Sequence, residues 1–164
     1  MYARSFIDSL DFARNGQENS GEVPLVEMSR LLELLANPQG MLSYAIIGGV
    51  DNQGSPFLNL SVNGCCQLSC QRCLESMDYQ VKLNTHLLLR KQEELDALDE
   101  EIEEFDSILA DIKLDVLNLL EDEVLLSLPI APKHEPDTCK AAGDKNGLAG
   151  ENHPFATLEK LKRN

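Results

Sequence analysis

Two thiols three positions apart, Cys70 and Cys73 in QLSCQRCLES, are the residues of this sequence best equipped for chemistry. A CxxC turn presents two sulfurs to one point, which suits half of a tetrahedral zinc site. Completing such a site takes two more soft or borderline ligands. His134 and Cys139, spaced H-x4-C in KHEPDTC, are the sensible candidates in this chain. Zinc held by Cys70, Cys73, His134 and Cys139 would staple a hairpin tip to a loop some sixty residues later. Two other readings stay open. A redox pair would form a reversible disulfide, but a thioredoxin-type CxxC should open a helix in a βαβ unit, which is missing here. The third reading is a pair of structural thiols that close a turn.

The elements that must position these residues follow from periodicity. In FLNLSVNGCCQLSC, positions 58, 60, 62, 66, 68 and 70 are Leu, Leu, Val, Cys, Leu and Cys, and polar residues alternate with them. Cys66 therefore points inward as a small core residue, and Cys65 points out. After the CxxC, Met77, Tyr79, Val81, Leu83, Thr85, Leu87 and Leu89 repeat the alternation. Two long strands a few residues apart form an antiparallel hairpin with CQRC at its tip. A strand beginning near Leu42 precedes it. Leu25, Met28, Leu31, Leu32 and Leu35 predict a helix over about 24–36, ended by Asn37-Pro38. Ile112, Val116, Leu119, Leu120, Val124 and Leu128 predict a second helix, with Asp111 as its cap and Pro129 just past its end. Pro154 opens a third, on which Phe155, Leu158 and Leu161 share a face. The fold class is α+β: a curved antiparallel sheet with a long central hairpin, packed by N-terminal, central and C-terminal helices. One domain over 1–164 is expected, with an acidic connection at 92–110 and a Pro/Gly-rich loop at 129–153.

Charge restricts the partners. The chain carries 28 acids against 14 Lys and Arg, a formal charge of −14, and residues 93–106 hold nine acids and no base. Such a surface repels phosphate backbones and attracts basic proteins. No apolar run approaches the ~20 residues of a membrane span, and the N-terminus lacks a signal-peptide core. A reducing, cytoplasmic setting is expected, with the five cysteines serving as thiols or ligands. Glu121, Asp122 and Glu123 point in different directions from a helix, so they suit a solvated face or a docking surface and not acid–base catalysis. There is no phosphate loop and no nucleophile with its base, and neither an enzymatic activity nor a small-molecule substrate is expected.

Three blocks together, LSCQRCLE, LEDEVLLSLPIAPKHEPDTC and HPFATLEKLKRN, resemble the YceD family, the large ribosomal RNA subunit accumulation proteins, over about residues 42–164. The resemblance implies a small cytoplasmic protein that supports synthesis, processing or stability of 23S ribosomal RNA. It carries over Cys70, Cys73, Asp115, Glu121, Asp122, Glu123, His134, Phe155, Leu158 and Leu161. Joined to the charge, it points to a ribosome-biogenesis adaptor that binds a basic ribosomal or rRNA-processing protein. The competing reading is direct rRNA contact through Arg72, Lys82, Arg90 and Lys91 on the hairpin, together with Lys160, Lys162 and Arg163 at the chain's end.

Overall fold

The computed structural model describes residues 4–96 and 106–139. Within them the chain runs β1 (Phe6–Ile7), α1 (Ser9–Arg14), β2 (Glu18–Pro24), a 3-10 turn (Leu25–Glu27), α2 (Ser29–Leu32), β3 (Leu35–Asn37) and β4 (Met41–Val50). It continues through β5 (Pro56–Ser69), β6 (Ser76–Arg90), α3 (Gln92–Asp96), β7 (Asp106–Leu109), β8 (Leu114–Asp115) and α4 (Val116–Ser127). The large sheet has the order β2-β4-β5-β6-β7. β3 pairs with the part of β5 that extends beyond β4, and β1 pairs separately with β8.

The expected α+β architecture is present, built on the hairpin of β5 and β6. Their register runs unbroken from Phe57 opposite Leu88 to Ser69 opposite Ser76. The side-chain period of two then sends Leu58, Leu60, Val62, Cys66 and Leu68 to one face, where all are at most 2% exposed. Val81, Leu83, Leu87 and Leu89 of β6 join them, along with Leu42 and Ile46 of β4. α4 lies on this face through Val116, Leu117, Leu120 and Val124. Each fully buried Leu contributes roughly 2 kcal/mol, so this face is the main source of stability. α1 sits against β4 at Gly48, where a Cβ would come within 2.6 Å of the Phe12 carbonyl oxygen. Only glycine permits that approach.

Four features differ from the sequence expectations. The helix expected over 24–36 is instead a 3-10 turn, the single turn of α2 and then β3. The buried positions Leu25, Met28 and Leu31 are three apart, a spacing that a 3-10 turn followed by one helical turn serves equally well. The central helix starts at Val116, with Asp115 and not Asp111 as its cap. The Asp115 carboxylate accepts from the amides of Leu117 (3.0 Å) and Asn118 (3.4 Å), whereas Asp111 accepts from the Lys113 amide inside a turn. Ile112 is accordingly 81% exposed and no part of the helical stripe. The acidic connection contains α3 at its start and β7 at its end, and β7 pairs with β6 in parallel, which makes the sheet mixed. The expected C-terminal helix with Phe155, Leu158 and Leu161 lies outside the described residues. So do residues 97–105 of the acidic run and 140–153 of the Pro/Gly-rich loop.

Candidate metal centre

The hairpin tip is a tight loop closed by its own backbone. The Leu74 amide donates to the Cys70 carbonyl (2.8 Å), and the Cys70 amide donates to the Glu75 carbonyl (2.9 Å). Leu74 has φ +62°, the left-handed region that a side chain with a Cβ occupies at a cost of about 1 kcal/mol. Leu74 is also 78% exposed, so its side chain gains little from packing. Leu74→Gly should therefore raise thermal stability by about 0.5–1 kcal/mol, read as a higher unfolding midpoint. A lower midpoint would mean that the side chain contributes more than its backbone costs.

α4 delivers the other half. After Leu128 the chain runs along the tip, where the Gln71 amide donates to the Pro132 carbonyl (2.8 Å). A turn follows in which the amides of Thr138 (3.0 Å) and Cys139 (3.2 Å) both donate to the Glu135 carbonyl, carrying Cys139 back toward Cys70. One ligand atom from each of Cys70, Cys73, His134 and Cys139 thus comes together, all within 4.8 Å of one another. The Cys70 and Cys139 sulfurs are 3.9 Å apart, and Cys73 Sγ is 3.3 Å from His134 Nδ1. In a tetrahedral zinc site with ordinary bond lengths, two sulfurs are about 3.8 Å apart and a sulfur and an imidazole nitrogen about 3.5 Å. The donor set fits that ion.

Its surroundings fit too. His134 Nε2–H donates to the Ser76 carbonyl (3.2 Å), which fixes the tautomer and leaves the Nδ1 lone pair facing the sulfurs. The amides of Arg72 and His134 both donate to Cys70 Sγ at 3.4 Å. Burial pushes the Cys70 thiol up, but N–H groups from Cys73, His134 and Arg72 outweigh it and bring its pKa to about 5. At Cys73 the Glu75 amide favours the thiolate, but burial and the nearby Cys70 and Cys139 sulfurs leave the pKa above its ordinary value. One thiolate is welcome in this cluster and further ones repel each other, which is the electrostatic condition that a divalent cation relieves. Cys66 differs: burial raises its pKa to about 11, as befits a core thiol, and Cys65 is exposed on the opposite face of its strand.

The side chains of the remaining candidates are not among the four ligands of this cluster. Arg72 is exposed at the tip. Glu121 does not lie on the solvated face expected for LEDEV; it is 3% exposed, because position 121 falls on the helix stripe shared with Leu117 and Val124. Its Oε1 accepts from the amides of Arg30 (2.7 Å) and Leu31 (3.1 Å), and its Oε2 from Arg30 Nε (3.0 Å). Arg30 also pairs with Asp122. Sequence reasoning missed Arg30, although it is the sole base between Arg14 and Arg72 and so was a visible anchor for an acid. Lys160, Lys162 and Arg163 lie outside the described residues.

Glu123 is half-buried. Burial raises its pKa, Thr85 opposes that by hydrogen bonding, and Asp106 and Asp122 add to it by repulsion. A carboxyl whose folded pKa exceeds its unfolded value favours folding below the unfolded pKa and loses that advantage as pH rises through the folded one. Glu123→Gln should therefore stabilise at pH 7 by on the order of 0.5 kcal/mol, discounted for its solvent exposure, and by nothing at about pH 3. Denaturant midpoints at the two pH values check the sign.

The class defined here is an α+β protein whose hairpin tip and the segment after α4 bring three Cys and one His within metal-binding distance of one another. The sequence profile described as Large ribosomal RNA subunit accumulation protein YceD matches residues 58–162, and the chain belongs to that family. It is 25% identical over 170 residues to a Haemophilus influenzae protein named "Large ribosomal RNA subunit accumulation protein YceD", an alignment that covers 96% of this chain and 94% of the relative. No solved structure matches the chain. Among the described residues no helix is long and apolar enough to cross a membrane.

Proposed function

We propose that this protein is a non-enzymatic factor for large-subunit ribosome biogenesis, which supports accumulation of 23S rRNA as an acidic adaptor for basic protein partners. In this reading Cys70, Cys73, His134 and Cys139 bind one zinc ion as a closed structural site, with no position left for a substrate. The observation that carries the zinc assignment is the convergence of four ligand atoms from two distant segments within 4.8 Å. The process is inferred from the name of the relative that matches 96% of the chain. The manner is inferred from a charge of −14, which disfavours RNA and favours Lys- and Arg-rich proteins, of which ribosomes have many.

In a host lacking the protein, the 23S to 16S rRNA ratio should fall, and the wild-type gene should restore it; an unchanged ratio would refute the process. Purified protein should retain basic large-subunit proteins in a salt-sensitive manner and release RNA freed of protein. Tight retention of protein-free 23S rRNA would instead favour direct contact through Arg72, Lys82, Arg90, Lys91 and the terminal Lys160, Lys162 and Arg163.

A further inference from the structure

The metal cluster lies at one end of the hairpin. Near the other end, β1, β7, β8 and the first two turns of α4 enclose a cleft of about 550 Å³. Half of its lining is apolar: Phe6, Ile108, Leu109, Leu114 and Leu119. Phe6 and Leu109 remain 46% and 45% exposed among the described residues. The lining also carries Asp111, Lys113, Asp115, Asn118 and Asp122. We infer that this cleft docks a basic segment of a partner protein through an apolar anchor side chain flanked by Lys or Arg. The inference rests on the adaptor reading above and adds to it the surface and the chemistry of the partner.

Charge complementarity selects that occupant. The cleft itself holds Asp111, Asp115 and Asp122 against Lys113, and Asp106, Glu123, Arg4, Arg30 and Arg90 stand close by, with Arg90 opposite Leu109 and bonded to Ser107. Arg4 and Arg30 are already paired with Asp115 and Asp122. Beside the cleft, Asp106 and Asp122 repel the Glu123 carboxylate and, second to burial, raise its pKa. A partner's cations would relieve that repulsion, whereas phosphates would add to it. The wall itself accepts a cation: Lys113 Nζ rests 4.9 Å from the centre of the Phe6 ring. β7 also follows, in sequence, the acidic run that ends at Asp106. A purely polar polycation would leave the Phe6 and Leu109 surfaces wet, so an apolar anchor makes fuller use of the cleft.

The test uses the full chain and two fluorescein-labelled peptides of equal charge, one alternating Lys with Leu and the other Lys with Gln, at about 50 mM salt. The Lys/Leu peptide should bind about tenfold more tightly than the Lys/Gln peptide. L109Q/D111K, altered at two exposed positions, should lose about tenfold and with it the preference for Leu. E22K changes the net charge by the same two units but lies on β2, at the opposite edge of the sheet, and should lose no more than about twofold. Equal weakening in both variants, or no advantage for Leu, would overturn the cleft while leaving an acidic adaptor that works from another surface. Failure of both peptides to bind the wild type would overturn the adaptor reading as well. Tight binding of labelled single-stranded RNA that L109Q/D111K abolishes would replace the protein partner with RNA. Unfolding midpoints near wild type confirm that both variants fold.

Discussion

Purified without chelator, the wild-type chain is expected to carry one zinc ion per molecule, and Cys139→Ser to carry clearly less and to lose it to a chelator that leaves the wild type loaded. Structural zinc in a four-ligand site is bound with roughly 10–16 kcal/mol at neutral pH. Removing one ligand of four forfeits on the order of 3 kcal/mol, a loss of about a hundredfold in affinity. Cys139 is the most informative position because it is 4% exposed and is brought to the cluster solely by the turn after His134. Cys70→Ser would also remove the sulfur that accepts the Arg72 and His134 amides, and so confuse metal loss with turn loss. Equal, negligible zinc in the wild type and in Cys139→Ser would reduce the cluster to a packed turn.

Chelation should act locally. The core formed by β4, β5, β6 and α4 includes none of the four ligands. Amide protection should therefore collapse at Gln71 and His134, whose N–H groups join the tip to the segment after α4, and at Arg72, whose N–H closes the tip on Cys70, and persist across the paired strands. Because binding displaces thiol protons, above all from Cys73 with its raised pKa, zinc retention should weaken as pH falls. A global loss of protection on chelation would show that the segment after α4 stabilises the sheet as a whole.

The parts of this fold that could be read from the sequence are those fixed by one dominant period. β5 and β6 are long enough, and buried on one face strictly enough, that alternation alone gave their faces and the position of CQRC at the tip. The partnership of Cys70 and Cys73 with His134 and Cys139 was open to inference because the chain has only five Cys and three His, and His134 and Cys139 lie close together in sequence. Nothing local, however, encodes a contact across sixty residues. Closure depends on the segment after α4 running along the tip, and on Pro132 and Glu135 offering carbonyls at the right places. β7 starts at the last residue of the acidic run, inside a connection whose composition reads as solvated; its pairing with β6 is a tertiary outcome that charge obscures. Leu25, Met28 and Leu31 carried a real apolar stripe, but a spacing of three does not distinguish a 3-10 turn from a helix. Glu121 was misplaced because a charged residue flanked by Asp122 and Glu123 looks solvated, and its burial depends on a partner ninety positions earlier.

That partnership sets the second large effect. Glu121→Ala is expected to destabilise the protein by about 2–3 kcal/mol, which lowers the unfolding midpoint by roughly 6–9 °C in a chain of this size. The carboxylate accepts the Arg30 and Leu31 amides at the start of α2 as well as the Arg30 side chain. Leu31 is fully buried, so its amide cannot turn to water for a replacement. Glu121→Gln keeps an oxygen for the amides and gives up the charge, and should cost only about 1 kcal/mol. Arg30→Ala should fall near the Gln variant, because the guanidinium is half-exposed and the loss of its pairing with Asp122 at the surface is cheap. The double variant Glu121→Gln with Arg30→Ala should then cost less than the sum of the two, since each removes the same ion pair. Strict additivity would show that the amides of α2, and not the charge on Arg30, account for the burial of Glu121. Near-wild-type stability of Glu121→Ala would mean that α2 is held on α4 by Leu31 and its apolar neighbours alone.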